Sequence, residues 1–266
     1  KTADGGNASA QYTLAKLYHD GIYVEKDMQK ALKLFTLSAE QKNEYAAYQL
    51  GKLYLRNEEI PKDITTAVKC LTFSSDLGNQ FAQYALAKLY LAGEDVQKNI
   101  SKAIKLFALS AEQKNEYAEY QLGKLYLSVE DVPKDVEAAI RWLTASAEQG
   151  NQFAQYALGK LYFFDGDIPR DKEKSLHWLT ASAAQGNIYA QFLIDHINEY
   201  RSPSVLLAAT RLMHRLENLF YEDYRKANGS SAFHIDRKRR RKLQEKKQAG
   251  GHARDDHEQQ QHQLIL

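Results

Sequence analysis

Apolar residues along this chain follow a helical rhythm that restarts at fixed intervals. In the stretch NEYAAYQLGKLY (Asn43 to Tyr54), Ala46, Leu50, Leu53 and Tyr54 stand 3, 7, 10 and 11 residues after the asparagine. At about 100° per residue these positions share one face of a helix. The stretch returns as NEYAEYQLGKLY from Asn115, with near relatives NQFAQYALAKLY from Asn79 and NQFAQYALGKLY from Asn151. Asn7, Asn43, Asn79, Asn115, Asn151 and Asn187 are each 36 residues apart, a period in the range of solenoid arrays. Each asparagine is placed to cap its helix, because its side-chain oxygen can accept from a backbone N–H of the first turn.

A second helix is predicted in every unit. Asp27, Asp63, Asn99, Asp135 and Asp171 share one offset and are again capping types. Pro61, Pro133 and Pro169 lie two residues earlier, where they shape the turn. Downstream, Ala67, Val68, Leu71 and Ser75 recur as Ala103, Ile104, Phe107 and Ala111, and as Ala139, Ile140, Leu143 and Ala147. Each unit therefore reads as a helix pair with two apolar stripes. One pair cannot bury both, so stacking on its neighbours must supply the core. A longer rhythm overlies the first: SAEQKNEYA at Ser38 and Ser110 alternates with GNQFAQYA in the other units, as if a pair of units had been duplicated.

The phrase A-x-x-x-L-G-x-L-Y, a loop, then D-x-x-x-A-x-x-W-x-x-x-(S/A)-A-x-x-G-N resembles the Sel1-like repeat, a relative of the tetratricopeptide repeat. Unit four carries it most fully, in Ala118, Leu122, Gly123, Tyr126, Asp135, Ala139, Trp142, Ala147, Gly150 and Asn151. The resemblance covers five cycles from Asn7 to Gly186 and a sixth first helix from Asn187. Gly51, Gly123 and Gly159 are replaced by Ala15 and Ala87 in the other units, small enough to keep the helices close. The loop glycine stands at Gly21 and Gly93 but gives way to Asn57 and Val129. The resemblance implies an all-α, right-handed α-solenoid of helix-pair repeats that binds proteins rather than catalysing a reaction.

Composition narrows this further. No run approaches the ~20 apolar residues of a membrane-spanning helix, so no membrane partner is expected. Four prolines suit a largely helical chain. A single cysteine, Cys70, forms no internal disulfide framework and fits a reducing compartment, read here as the bacterial cytoplasm. No signal-peptide pattern is present. The chain opens at Lys1, not methionine, inside a repeat-like phrase, so further sequence upstream is expected. Charge is uneven: beyond residue 200 the chain has 14 Lys/Arg against 8 Asp/Glu, whereas the first 200 residues are mildly acidic. A basic tail on an acidic body suggests an anionic partner for the tail.

Candidate chemistry is sparse. Ser38, Ser74, Ser110, Ser146 and Ser182 share one offset, but a nucleophile needs a base and an orienting group and has no reason to recur five times. Cys70 stands where other units have Leu34, Leu106, Trp142 and Trp178, so packing is its natural role. The aromatic ladder is more informative. Tyr45, Phe81, Tyr117, Phe153 and Tyr189 lie two residues after their asparagines; Tyr48, Tyr84, Tyr120, Tyr156 and Phe192 lie five after. Lys52, Lys88, Lys124 and Lys160 follow at offset nine, on a face shared with both sets. One reading packs these aromatics against the preceding unit's second helix. The other makes Tyr48, Lys52, Tyr84, Lys88, Tyr120, Lys124, Tyr156 and Lys160 a groove for a protein or peptide partner, since tyrosine is large and amphipathic. The segment GHARDDHE (Gly251 to Glu258) has two histidines and two aspartates, but no scaffold to fix three or four ligands. No metal or cofactor is expected.

The C-terminal part changes character. In SPSVLLAATRLMHRLENLFYEDYRKANG, Val205, Ala209, Leu212, Leu216, Leu219 and Phe220 form one stripe of a long helix. Ser202 and Pro203 suit its start and Gly229 its end, and its expected role is to cap the array. Next, Arg237, Lys238, Arg239, Arg240, Arg241, Lys242, Lys246 and Lys247 place eight cations within eleven residues. This is either a solvated, disordered tail or a phosphate-binding one giving nonspecific, salt-sensitive affinity for nucleic acid. The combination LLAATRLMHRLENLF with HIDRKRRRKLQEKKQAGGHARDDHE is similar to the C-terminal ends of bacterial relaxases of the MobP type. That resemblance implies an accessory region of a DNA-mobilisation protein, without its catalytic domain. The expected organisation is a solenoid over 1–199, a capping helix over 200–229 and a basic tail over 230–266, with the oligomeric state open. A free-standing repeat adaptor with no nucleic-acid role is the alternative.

Overall fold

The computed structural model describes residues 6–56, 58–127, 132–164 and 167–197. Among these, every regular element is an α-helix. Five pairs follow in chain order: α1 (Ala8–Asp20) with α2 (Met28–Glu40), α3 (Glu44–Arg56) with α4 (Ile64–Asp76), α5 (Gln80–Ala92) with α6 (Ile100–Glu112), α7 (Glu116–Leu127) with α8 (Val136–Glu148), and α9 (Gln152–Phe164) with α10 (Lys172–Ala184). A sixth first helix, α11 (Ile188–His196), ends the described array. The predicted capping helix and basic tail lie outside the described residues, as do Asn57 and Val129.

The capping residues act as their types and spacing require. The side-chain oxygens of Asn7, Asn43 and Asn79 each accept from the N–H three residues on, at 2.9 Å. Asn115, Asn151 and Asn187 divide the same role between the second and third N–H. Asp27, Asp63, Asn99, Asp135 and Asp171 start the second helices in the same way. Gly21 and Gly93 stop α1 and α5 in the left-handed region, with φ of 65° and 70°. At the junctions between units, the same conformation is taken by Gly78, Gly150 and Gly186, but by Lys42 and Lys114 in the two units ending in EQKN.

Within a unit the two helices are pinned at one end by the repeated serine. Ser38, Ser74, Ser110, Ser146 and Ser182 are fully buried. Each donates its hydroxyl to a carbonyl at the start of its own first helix, on Ala8, Glu44, Gln80, Glu116 and Gln152, at 2.6–2.8 Å. These serines are therefore structural, since a donor satisfied this way in the interior removes a desolvation cost. Further along the pair, a small residue admits a large one. A Cβ built on Gly51, Gly123 or Gly159 would stand 2.6, 2.5 or 2.6 Å from Cγ of Leu71, Leu143 or Leu179.

The core runs across unit boundaries. One cluster joins Leu71 of α4, Leu86 of α5, Phe107 of α6 and Leu122 of α7. Each second helix packs on its own first helix and on that of the next unit. Stacking thus buries the second stripe, as expected for helix-pair repeats. Along one edge, the ion pairs Lys26–Glu59, Lys62–Asp95 and Lys134–Asp167 link consecutive interhelix loops. They are exposed and contribute at most about 1 kcal/mol each. No helix among the described residues is long and apolar enough to cross a membrane.

Candidate functional site

The surface with the most organised chemistry is the face of the first helices that carries the aromatic residues and lysines. Four residues separate each lysine from its tyrosine, one helical turn. The ammonium groups of Lys52, Lys88, Lys124 and Lys160 stand over the rings of Tyr48, Tyr84, Tyr120 and Tyr156, at 5.4, 5.7, 5.5 and 5.4 Å from the centroids. These are cation–π distances. All eight sequence candidates are thus brought together as four equivalent pairs.

A second set of contacts joins the units. Tyr12 meets Tyr45, Tyr48 meets Phe81, Tyr84 meets Tyr117, Tyr120 meets Phe153 and Tyr156 meets Tyr189, with ring centroids 6.0–6.2 Å apart. The offset-five ring of one unit leans on the offset-two ring of the next, giving one aromatic ladder along the array. Tyr12 and Tyr84 also meet Phe35 and Phe107, on the second helix of their own unit.

Exposure divides the ladder. Tyr45, Phe81, Tyr117 and Phe153 are 43–51% exposed, whereas Tyr48, Tyr84 and Tyr120 are half-buried and Tyr156 is buried. The large accessible rings are therefore at offset two, outside the eight candidates. Their sequence signal was the helix's first turn, one turn before the covered tyrosines. Lys52, Lys88 and Lys124 are exposed and Lys160 is half-buried. Burial pushes the Tyr48 and Tyr84 hydroxyls up, and that of Tyr120 to about 12. Burial also pulls the Lys52 and Lys88 ammonium groups below their ordinary value, with Arg56 adding to the effect at Lys88.

Other groups with possible chemistry are accounted for by packing. Cys70 is partly buried against the core of the first units, and burial, then the Asp63 charge, pushes its thiol up. A thiol raised in this way is a poor nucleophile. Among the described residues no group of three or more His, Cys, Asp or Glu is placed to hold a metal ion. The basic cluster from Arg237 to Lys247 and the segment GHARDDHE lie outside the described residues.

Sequence reading missed one buried group. Gln41, Gln113 and Gln185 donate Nε2–H to Oε1 of Gln11, Gln83 and Gln155 at 2.8–2.9 Å. In unit four the acceptor is Glu119, reached by Gln149 at 2.6 Å. Glu119 is 4% exposed. Its burial raises the carboxyl to about 7, against the lowering effect of the Gln149 hydrogen bond.

Comparison with known proteins places this geometry. Sel1 repeats are matched over residues 8–43, 44–79, 80–115, 116–151 and 152–187, so the repeat boundaries coincide with the helix pairs. A sel1-like repeat-containing protein, L18, of Acanthamoeba polyphaga mimivirus is 46% identical over 43 residues, which is 16% of this chain and 7% of that protein. The chain therefore spans only a small part of that relative. The crystal structure of c5321, a protective antigen of uropathogenic Escherichia coli strains displaying an SLR fold, superposes with a TM-score of 0.68 at 31% identity, over 73% of this chain and 42% of that one. A Sel1 repeat protein from Oxalobacter formigenes has the same fold, with a TM-score of 0.67 at 24% identity, over 79% of this chain and 89% of its own. Helix pairs, capping residues, serine pins and matched repeats agree along the whole described array: the chain belongs to the Sel1 repeat family.

Proposed function

We propose that this protein is a non-catalytic scaffold that holds a protein partner against the first-helix face of its Sel1 array. The observation that carries the reading is the fourfold Tyr–Lys pair beside the exposed rings Tyr45, Phe81, Tyr117 and Phe153. Accessible aromatic residues with cations at each step give anchoring area and polar contacts together. The test replaces Lys52, Lys88 and Lys124 together by glutamate, confirms the helical fold by circular dichroism, and compares proteins captured from the source cell with those held by the parent chain. Loss of specific partners from the folded variant is the expected result. An unchanged set of partners would move the binding surface elsewhere.

A narrower reading makes the array the accessory region of a DNA-mobilisation protein in the bacterial cytoplasm. It rests on sequence: the eight cations between Arg237 and Lys247, and the likeness of the C-terminal part to relaxase ends. Salt-dependent DNA binding that disappears when the chain is cut after Asn228 is its expected outcome. Retained binding after that cut would remove the tail's role.

A further inference from the structure

We propose that the chain's own C-terminal segment, residues 203–228, docks on the first-helix face at the end of the array, over Tyr189 and Leu193 of α11, and does not form the second helix of a sixth unit. The proposal stands whether or not a partner binds the rest of that face. Its ground is a reversal of exposure between α11 and the first helices before it. Offset two holds Tyr45, Phe81, Tyr117 and Phe153, all 43–51% exposed, and then Tyr189, which is 8% exposed. Offset six, one turn on, is half-buried at Gln49, Ala85, Gln121 and Ala157, whereas Leu193 is completely buried.

The described helices do not account for this. α9 packs on both α8 and α10, whereas α11 packs on α10 and only touches α9. With less around it, α11 should show the more open face. The ring beneath is the same in both: Tyr189 leans on Tyr156 at 6.2 Å and Phe153 on Tyr120 at 6.1 Å. Yet Tyr156 is buried and Tyr120 only half-buried. Interhelix loops recur in every unit, so a cover that begins at this step comes from the chain after Ile197.

The other side of α11 changes in the opposite sense. Offset four is buried as Gln11, Gln83, Glu119 and Gln155, and offset eight as Gly51, Gly123 and Gly159, because each unit's own second helix lies there. In α11 these positions are Gln191 and Asp195, both exposed and hydrogen-bonded to each other at 2.7 Å. The place of a sixth second helix is therefore open. Sequence gives the reason. Continued at 36 residues, the array would put Arg211, Arg215 and Asn218 where unit four buries Ala139, Leu143 and Ser146. Two guanidinium groups without partners would oppose burial there.

The first-helix face turns apolar in the same unit. Leu193 replaces glutamine or alanine, Phe192 replaces tyrosine, and His196 stands in place of the lysines. The stripe from Val205 through Leu212 and Leu216 to Phe220 is an apolar surface of matching character. At the rise of a helix it is about 23 Å long, against about 14 Å for α11, so it can cover that helix and reach the Tyr156 step. Residues 198–202 suffice for the reversal, since helix–helix connections take about 2–8 residues. The steps left open to a partner are those of Tyr45, Phe81, Tyr117 and Phe153.

The test measures maleimide labelling rates in the full chain carrying Cys70→Ala and one new cysteine. Leu193→Cys reports the covered position, Gln121→Cys the same offset in α7, and Gln191→Cys the second-helix side of α11. Leu193→Cys is expected to react at least tenfold more slowly than the other two. Adding Leu212→Asp with Leu216→Asp should raise its rate tenfold or more and leave Gln121→Cys and Gln191→Cys unchanged. Fast labelling of Leu193→Cys in the parent, or slow labelling that survives the aspartates, overturns the docking. Slow labelling of Gln191→Cys that the aspartates relieve makes the segment an ordinary sixth second helix and also overturns it. Protection that falls on dilution, with a dimer in sedimentation, assigns the cover to a second copy instead. Hydrogen exchange on the unaltered chain needs no substitution: amides of 205–220 should be protected, and exchange at unprotected rates refutes the proposal. None of these readouts involves a partner, so the scaffold reading is tested separately.

Discussion

Glu119 shows how one residue can carry a property the rest of the array lacks. Three other units place glutamine at this buried position, where an amide is satisfied without charge. Glutamate there is tolerated best when protonated, which is why burial lifts it from 4.5 to about 7. The folded state therefore holds a proton that the unfolded chain releases, so stability falls as pH rises from about 4.5 to 7 and stays lowered above that. Glu119→Gln should melt like the parent protein near pH 4.5 and be more stable at pH 8, by about 1–2 kcal/mol. Thermal melts at both pH values check this. A difference in melting temperature that is the same at pH 4.5 and pH 8 would refute the assignment. The glutamate itself was visible in the sequence, but its burial was not. That depends on Gln149, thirty residues on, arriving over it.

At the scale of the helix, the small-residue position and the residue facing it change together. Gly51, Gly123 and Gly159 face Leu71, Leu143 and Leu179, whereas the units with Ala15 and Ala87 have Phe35 and Phe107 at the corresponding place on the second helix. A methyl on Gly123 would enter the Leu143 side chain and approach the Ala139 carbonyl oxygen at 3.2 Å. Gly123→Ala should therefore destabilise by about 1–3 kcal/mol despite its better helix propensity. Adding Leu143→Phe, the pairing of units one and three, should recover most of the loss. Denaturant titration of the two variants decides it; a double variant no better than the single would separate the two positions. The helix pairs and their caps were legible beforehand, because capping and amphipathic spacing are local. The partnership of glycine with leucine was not, because the two side chains meet only when the pair closes.

Over the whole array, the shared core makes the units dependent on their neighbours. Leu143 is completely buried and clusters with Ala154 and Leu158 of the following unit. Leu143→Ala should cost about 2–5 kcal/mol, and hydrogen exchange should show protection lost first in α7 to α10, with α1 and α2 affected least. Equal loss in every helix would mean that the array unfolds as a single unit. The candidate face was half legible at this scale. The Tyr–Lys pairs lie within one helix and could be read from spacing, but the ranking of exposure could not, since each offset-five ring is covered by a ring 33 residues later. Tyr156, buried where Tyr189 leans on it, is the clearest instance. By itself, the sequence determined the period, the helix pairs, their caps and the positions that face inward, because these follow from backbone hydrogen bonding and the geometry of a single helix. Only the tertiary structure decided which aromatics remain accessible and which glutamate is buried, its carboxyl pushed up to about 7. Those properties arise where side chains from different helices exclude solvent from one another.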